Sequence, residues 1–279
     1  MTRRLKLMTG LSTLAAVSAL TLAGCGSEGE GEVEGEQDHD MPAAAGEGET
    51  EGGESAGSDI GESEGGESEG ASVSADPATS DVAYLHLLGL TRGHLIAFHE
   101  LYNSGAVEMA LMHVKHPKSE LYTSLAPAFS ARKKPGLAEE LSNLVDASNA
   151  GGDVEEPYAA VVRGLNAHTP DTSVSNILLA VSEIVRTAAD EFDIGVEDDG
   201  MISNAHEYQD AYGFLIASRE ILSGVQTTDI NATEAINLAQ EQVDLALTSF
   251  ESLTVEKTEG SASTLYGAAA RIEIAGRGL

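Results

Sequence analysis

Residues 81–105 read DVAYLHLLGLTRGHLIAFHELYNSG. Large apolar side chains recur in this stretch at spacings of three and four residues, which places them on one side of a helix of about six turns. Asn103, Ser104 and Gly105 are residues that end helices, so the helix should stop there. The apolar stripe consists of Tyr84, Leu87, Leu88, Leu95, Phe98 and Tyr102.

The same helical spacing continues through the rest of the chain, and no segment alternates with period two over more than four residues. His116-Pro117 should separate two helices, because a proline pushes the preceding residue out of the helical region. Asn204 with Glu207, and Asn231 with Glu234, have the spacing of helix N-caps. We therefore predict an all-α fold, an antiparallel helical bundle formed as one unit or as two packed sub-bundles. The predicted helices after the first are 106–115, 117–132, 135–149, 154–167, 173–192, 204–223, 231–252 and 262–274.

Composition excludes several classes of function. The 279 residues include 15 Lys or Arg and 46 Asp or Glu, for a formal net charge of −31. Nucleic-acid binding needs a basic footprint, so we expect no nucleic-acid partner. The single cysteine excludes an intramolecular disulfide, a zinc knuckle and a CxxC redox centre.

The first 25 residues are typical of a bacterial lipoprotein signal peptide. Arg3, Arg4 and Lys6 precede an apolar run, and Leu22-Ala23-Gly24-Cys25 then forms a lipobox. Cys25 would be the lipidated first residue of the mature protein, which makes its thiol an anchor in the membrane. Gly26 follows in place of Asp, so we expect an outer-membrane lipoprotein facing the periplasm or the cell surface. The alternative is an ordinary secretory signal with a chance cysteine.

Residues 26–80 differ in composition from both flanks. They contain 17 acidic residues and 13 glycines but no Lys or Arg. Such a segment cannot bury enough apolar surface to offset the entropy of ordering, so we predict a disordered acidic linker. It would be a solubilising tether, or a weak cation-concentrating tail around His39. Residues 81–279, with 12 basic and 29 acidic side chains, then form the helical domain.

Histidines crowd the start of this domain, where five of the chain's eight lie between residues 86 and 116. His86, Gly93, Ala97 and Glu100 share one stripe of the first helix, with His94 at its border. The small residues between a histidine and a glutamate leave room for something held against the backbone. His99 points to another side and is interpreted as a surface or packing residue.

The second helix has two thioethers and two imidazoles on one face. Met109, Met112, His113 and His116 stand at positions i, i+3, i+4 and i+7. Sulfur with imidazole suits copper, whereas imidazole with carboxylate, which Glu120 could supply, suits iron, manganese or zinc. The alternative interpretation is that the methionines fill the core and that His116 caps the next helix.

A second-choice ligand set starts the helix at 204. His206 and Asp210 are four residues apart and can reach one ligand, and Glu207 lies between them. On the preceding helix Glu183, Asp190 and Glu191 could face this set, or form a solvated surface with Arg186. The helices contain no Glu-x-x-His pair, phosphate loop, HExxH motif or nucleophile elbow, so no catalytic residue is assigned.

Two segments resemble known families. Gly195-Val196, Asp199–Asn204, Glu207-Tyr208 and Phe214 resemble a segment of the extracytoplasmic helical domain of bacterial iron permeases, where a similar run joins two helices. More faintly, Gly93-His94 with Glu100 resembles the first helix of imelysin-like periplasmic iron-handling proteins. The resemblance implies a helical bundle that binds iron or copper outside the cytoplasm and passes it to a membrane permease or receptor.

The sequence thus predicts a lipid-anchored protein that binds a transition-metal ion, iron or copper with iron preferred, for uptake, storage or delivery. One alternative is an interaction lipoprotein with a helical docking surface and no metal, and another is a metal-dependent oxidase. Convergence of the early histidines and Glu100 would favour metal binding, and their scatter would favour docking. The predicted ligands are His86, His94, Glu100, His113 and His116 as first choice, with His206, Glu207 and Asp210 as second choice.

Overall fold

The computed structural model describes residues 75–279, so Cys25 and most of the acidic linker lie outside the described residues. The described part is an all-α bundle, which confirms the predicted fold class. None of its helices combines the length and apolarity that a membrane-spanning helix needs. The helices are α1 Asp81–Ser104, α2 Val107–His116, α3 Tyr122–Ala131, α4 Ala138–Asn149, α5 Glu155–His168, α6 Val174–Gly195, α7 Ala205–Gly224, α8 Ile230–Leu247 and α9 Ala262–Arg277.

The long helices α1, α6 and α7 form the centre of the bundle. α6 packs against α7 and α9, α1 packs against α2, α6 and α7, and α8 lies against α7 and α9. α4 and α5 pair with each other and contact α2 and α1 respectively. The core between them holds large side chains that are at most 1% exposed, including Tyr84, Phe98, Phe129, Phe192, Tyr208 and Phe214.

Helix α1 and helix α7 cross at two glycines, where their backbones touch. A Cβ added to Gly213 would lie 2.3 Å from the carbonyl oxygen of Gly93, and one added to Gly93 would lie 2.9 Å from the backbone nitrogen of Phe214. Ala97 also contacts this crossing. The small-residue stripe of α1 therefore accommodates another helix, which corrects the expectation that it leaves room for a ligand.

The chain does not break at His116-Pro117, contrary to the prediction. His116 has helical dihedrals (φ −55°, ψ −48°), and a π-helical turn at Pro117–Leu121 connects α2 to α3. The wide turn closes with the N–H of Tyr122 donating to the carbonyl of Pro117. It keeps the path helical through the proline and carries Glu120 round to the side of His116, with 4.0 Å between Glu120 Oε1 and His116 Nε2.

Polar side chains cap the N-termini of three long helices. Ser80, Ser173 and Asn204 accept from backbone N–H groups of α1, α6 and α7, as N-caps do. The return contact of Glu207 is to the side-chain amide of Asn204 at 3.4 Å, because the Asn204 N–H donates to Gly195. At α8 the predicted cap was wrong: Asp229, not Asn231, accepts from Ala232 at 2.9 Å.

The segment between α6 and α7 is hydrogen-bonded to the loop that follows α8. Val196 and Ile202 form an antiparallel bridge around a turn at Gly200, where φ is +84°, and Met201 bridges Lys257. The N–H of Ile202 also donates to the carbonyl of Glu256. These contacts hold the loop at 248–261 beside the first turns of α7.

Candidate metal centre

Four histidines and one aspartate from three helices meet inside the bundle. His94 comes from α1, His113 and His116 come from α2, and His206 and Asp210 come from α7. The side chains of His94, His113 and Asp210 are 0% exposed. We call these five residues the His–Asp cluster.

Asp210 is the centre of the cluster. Its Oδ1 lies 2.6 Å from Nδ1 of His94 and 2.8 Å from Nδ1 of His113. Its Oδ2 lies 3.5 Å from Nδ1 of His206. A carboxylate only accepts hydrogen bonds, so His94 and His113 both donate to the same oxygen. The α1–α7 crossing brings His94 to Asp210, because Gly93 and Gly213 let the two backbones touch nearby.

Gln209 fixes the orientation of His113 from the opposite side. Gln209 Nε2 donates to the carbonyl of Leu253 at 2.9 Å, which directs Oε1 to His113 Nε2 at 2.8 Å. The same Nε2 lies 3.4 Å from the sulfur of Met109. Both ring nitrogens of His113 therefore face hydrogen-bond acceptors, Asp210 on one side and Gln209 on the other.

The other two imidazoles extend the cluster towards solvent. The His206 ring stacks on His113 with centroids 4.5 Å apart and lies 4.5 Å from the ring of His116. His116 and Glu120 have side chains 26% and 31% exposed, so this is the side on which the cluster reaches water. The ring of His94 is closed in by Phe214, with centroids 5.0 Å apart.

In the cluster, neighbouring charged groups shift pKa values in the direction opposite to the effect of burial. Burial alone would raise the pKa of Asp210, but the charges and hydrogen bonds of His94 and His113 hold that pKa well below its ordinary value. Burial likewise lowers the pKa of His206, and the carboxylates of Glu207 and Asp210 outweigh it, so the net shift is upward. The pKa of Glu207 is lowered against the effect of its burial by contacts with His206 and Glu191.

Nε2 of His206 and Oδ2 of Asp210 are buried atoms of the cluster that have no hydrogen-bond partner among the described residues. Buried polar groups in native proteins are nearly always paired, and an orphaned one calls for an explanation such as an ion. Both atoms are types that ligate transition metals.

The structure joins members of the two predicted ligand sets and leaves others out. His94, His113 and His116 of the first set meet His206 and Asp210 of the second, and Glu207 lies at their edge with Oε1 3.6 Å from His206 Nδ1. His86 lies eight residues before His94, about 12 Å along the helix, and bonds Thr187 on α6. Glu100, six residues beyond His94, accepts from the hydroxyl of Tyr212 at 3.2 Å.

Of the other residues that the sequence analysis named, some lie beside the cluster and others lie away from it. Glu191 is buried and contacts Glu207. Asp190 instead accepts from Tyr266, and Glu183 pairs with Arg186. His99 bonds Glu155 at the surface, as expected. Met109 and Met112 are both 39% exposed, so the interpretation of these methionines as core filling was wrong.

Gln209 is the site residue that sequence reasoning missed. It precedes Asp210 in the chain, yet nothing in its local spacing distinguishes it from a surface glutamine. Its role depends on Leu253, 44 residues away, whose carbonyl fixes the amide.

Comparisons of the chain with protein-family models, with curated proteins and with solved structures found no match.

Proposed function

We propose that this protein binds a transition-metal ion at the His–Asp cluster and handles it for uptake, storage or delivery outside the cytoplasm. The observation that carries the proposal is the convergence of four imidazoles on one buried carboxylate. Three of the five early histidines take part, whereas His86, His99 and Glu100 lie elsewhere, so the support for metal binding over docking comes from the three that meet.

The outer contacts of the cluster support this function. A histidine that ligates a metal usually donates its other ring N–H to a carbonyl or carboxylate, which fixes the tautomer and the ring orientation. His113 has this arrangement, since Nε2 faces Gln209 Oε1 and Nδ1 faces the interior of the cluster. Metal ligation at Nδ1 would then replace only the proton shared with Asp210.

The donor types define the class of ion. Imidazole suits zinc, copper, iron and nickel, and a carboxylate adds the oxygen donor that iron and zinc accept readily. Iron is proposed first, because residues 195–214 resemble a segment of iron-permease extracytoplasmic domains. Because ligation requires neutral histidines, metal binding would release protons and weaken at low pH.

The rest of the chain fits the capture of a cation at an envelope surface. The helical domain has 29 acidic against 12 basic residues, and this excess raises the local cation concentration, an effect that salt weakens. Cys25 is proposed as the lipid anchor, with the outer membrane as the location and a membrane permease or receptor as the partner.

The proposal is tested by the metal content of the exported full chain, purified without chelator and measured by inductively coupled plasma mass spectrometry. We expect iron bound in near-stoichiometric amount, and its loss from a His113→Ala, His116→Ala double variant. A His99→Ala variant, changed outside the cluster, is the matched control and should keep its metal. Absence of bound metal in the parent, together with no thermal shift on adding iron, copper or zinc, would overturn the proposal.

A further inference from the structure

The donors of the His–Asp cluster fall into two groups that share one residue. His94, His116 and Asp210 offer ligand atoms within 4.8 Å of one another, and His113, His206 and Asp210 do the same. Ligands about 2.1 Å from one ion lie at most about 4.2 Å apart, so each group is close to the size of a single coordination sphere. Asp210 belongs to both groups and has two oxygens to share.

Each group also has a carboxylate of its own at the solvent side. Glu120 Oε1 lies 4.0 Å from His116 Nε2, next to the first group. Glu207 Oε1 lies 3.6 Å from His206 Nδ1, next to the second, and Glu207 in turn contacts the buried Glu191. The two groups therefore have the same composition, two imidazoles and one glutamate around the shared aspartate.

The charge of the nearby carboxylates exceeds that of one divalent ion. Asp210, Glu120 and Glu207 together carry three negative charges when ionised. A single divalent ion would leave an excess of negative charge in a largely buried site, and uncompensated buried charge is costly. Carboxylate-bridged pairs of ions about 3.5–4 Å apart are an established arrangement in proteins.

We infer that the cluster holds two divalent transition-metal ions bridged by Asp210, one ligated by His94 and His116 and the other by His113 and His206. This inference rests on the proposed function, since it concerns the capacity of the same site. It assigns Glu120 and Glu207 as the separate carboxylates of the two ions. It also makes Asp210 the residue on which both ions depend.

The stoichiometry is tested on the full chain with His39→Ala, so that the acidic segment before residue 75 lacks its imidazole. The metal-free protein is titrated with Zn²⁺ and read by native mass spectrometry in a volatile buffer. We expect two zinc ions per chain, and one in either double variant, His94→Ala with His116→Ala or His113→Ala with His206→Ala. Helical circular dichroism checks that each variant is folded.

A second readout distinguishes two bridged ions from two unrelated ones. The same protein loaded with Cu²⁺ should show a spin-coupled electron paramagnetic resonance signal, and each double variant should show the signal of an isolated ion. One zinc ion in the parent, or two copper ions without coupling, would overturn the bridged pair and leave the proposed function standing. No bound ion in the parent would overturn the proposed function itself.

Discussion

Gln209 provides a sensitive test of the reasoning, because its side chain contacts the cluster at His113 without being one of the five cluster residues. Replacing it by leucine removes the acceptor 2.8 Å from His113 Nε2 and the donor 2.9 Å from the carbonyl of Leu253. Loss of the outer partner of a ligating histidine typically weakens metal binding roughly 10- to 100-fold. That range corresponds to about 1.4–2.8 kcal/mol of binding free energy.

The assay is competition for Zn²⁺ between the metal-free protein and a chromophoric chelator of known affinity. Gln209→Leu should bind zinc roughly 10- to 100-fold more weakly, whereas Gln242→Leu, the same change at a surface glutamine that pairs with Arg271, should leave the affinity unchanged. Gln209→Glu keeps an acceptor for His113 and should bind more tightly than Gln209→Leu. Equal affinities for the parent and a folded Gln209→Leu variant would refute the orienting role.

Three other predictions concern the fold and the anchor. Burial lowers the pKa of His86 to about 4, below its unfolded value of about 6.5, so the stability that the neutral ring contributes is complete above pH 6.5 and is lost as the pH falls towards 4. Between pH 7 and pH 5 the His86→Leu variant should therefore lose about 2 kcal/mol less unfolding free energy than the parent, as measured by urea titration. An equal loss in both proteins would contradict the buried neutral histidine. Gly213→Ala places a Cβ 2.3 Å from the carbonyl oxygen of Gly93 and should lower the melting temperature and the zinc affinity together. The control Gly224→Ala, at a glycine with open space around it, should change neither. A Gly213→Ala variant with the melting temperature and zinc affinity of the parent would show that the helices need not touch. Cys25→Ala should move the protein from the membrane fraction to the soluble fraction of cells, and unchanged membrane retention would disprove the lipid anchor.

The helices were predictable because helix formation is a local property. Apolar spacing of three and four residues placed each helix within a few residues of its observed bounds, and Asn204 was identified as a cap from its own sequence context. The errors lie at the ends of two helices. At His116-Pro117 the local rule predicts a break, but the packed structure keeps the chain helical through a π turn. At α8 two residues could cap the helix, and Asp229 rather than Asn231 does so.

The residues of the His–Asp cluster were predictable by type and by spacing within one helix. His113 with His116, and His206 with Asp210, each lie on one helix face, which follows from the 3.6-residue period alone. The periodicity of a single helix does not show which predicted ligand sets combine. It also does not show that His86 and Glu100 lie outside the cluster. His86 and His94 are on the same helix, yet one faces Thr187 on α6 and the other faces Asp210 on α7.

The sequence by itself therefore determined the helices, the excess of acidic charge and the types of the residues that form the cluster. Only the tertiary structure decided that α1, α2 and α7 bring four histidines to one buried aspartate, and that Leu253 in a distant loop orients Gln209. The physical reason is the range of the interactions. Helical periodicity is set by neighbours within four residues, whereas the approach of α1 to α7 depends on Gly93 and Gly213, which are 120 residues apart in the chain.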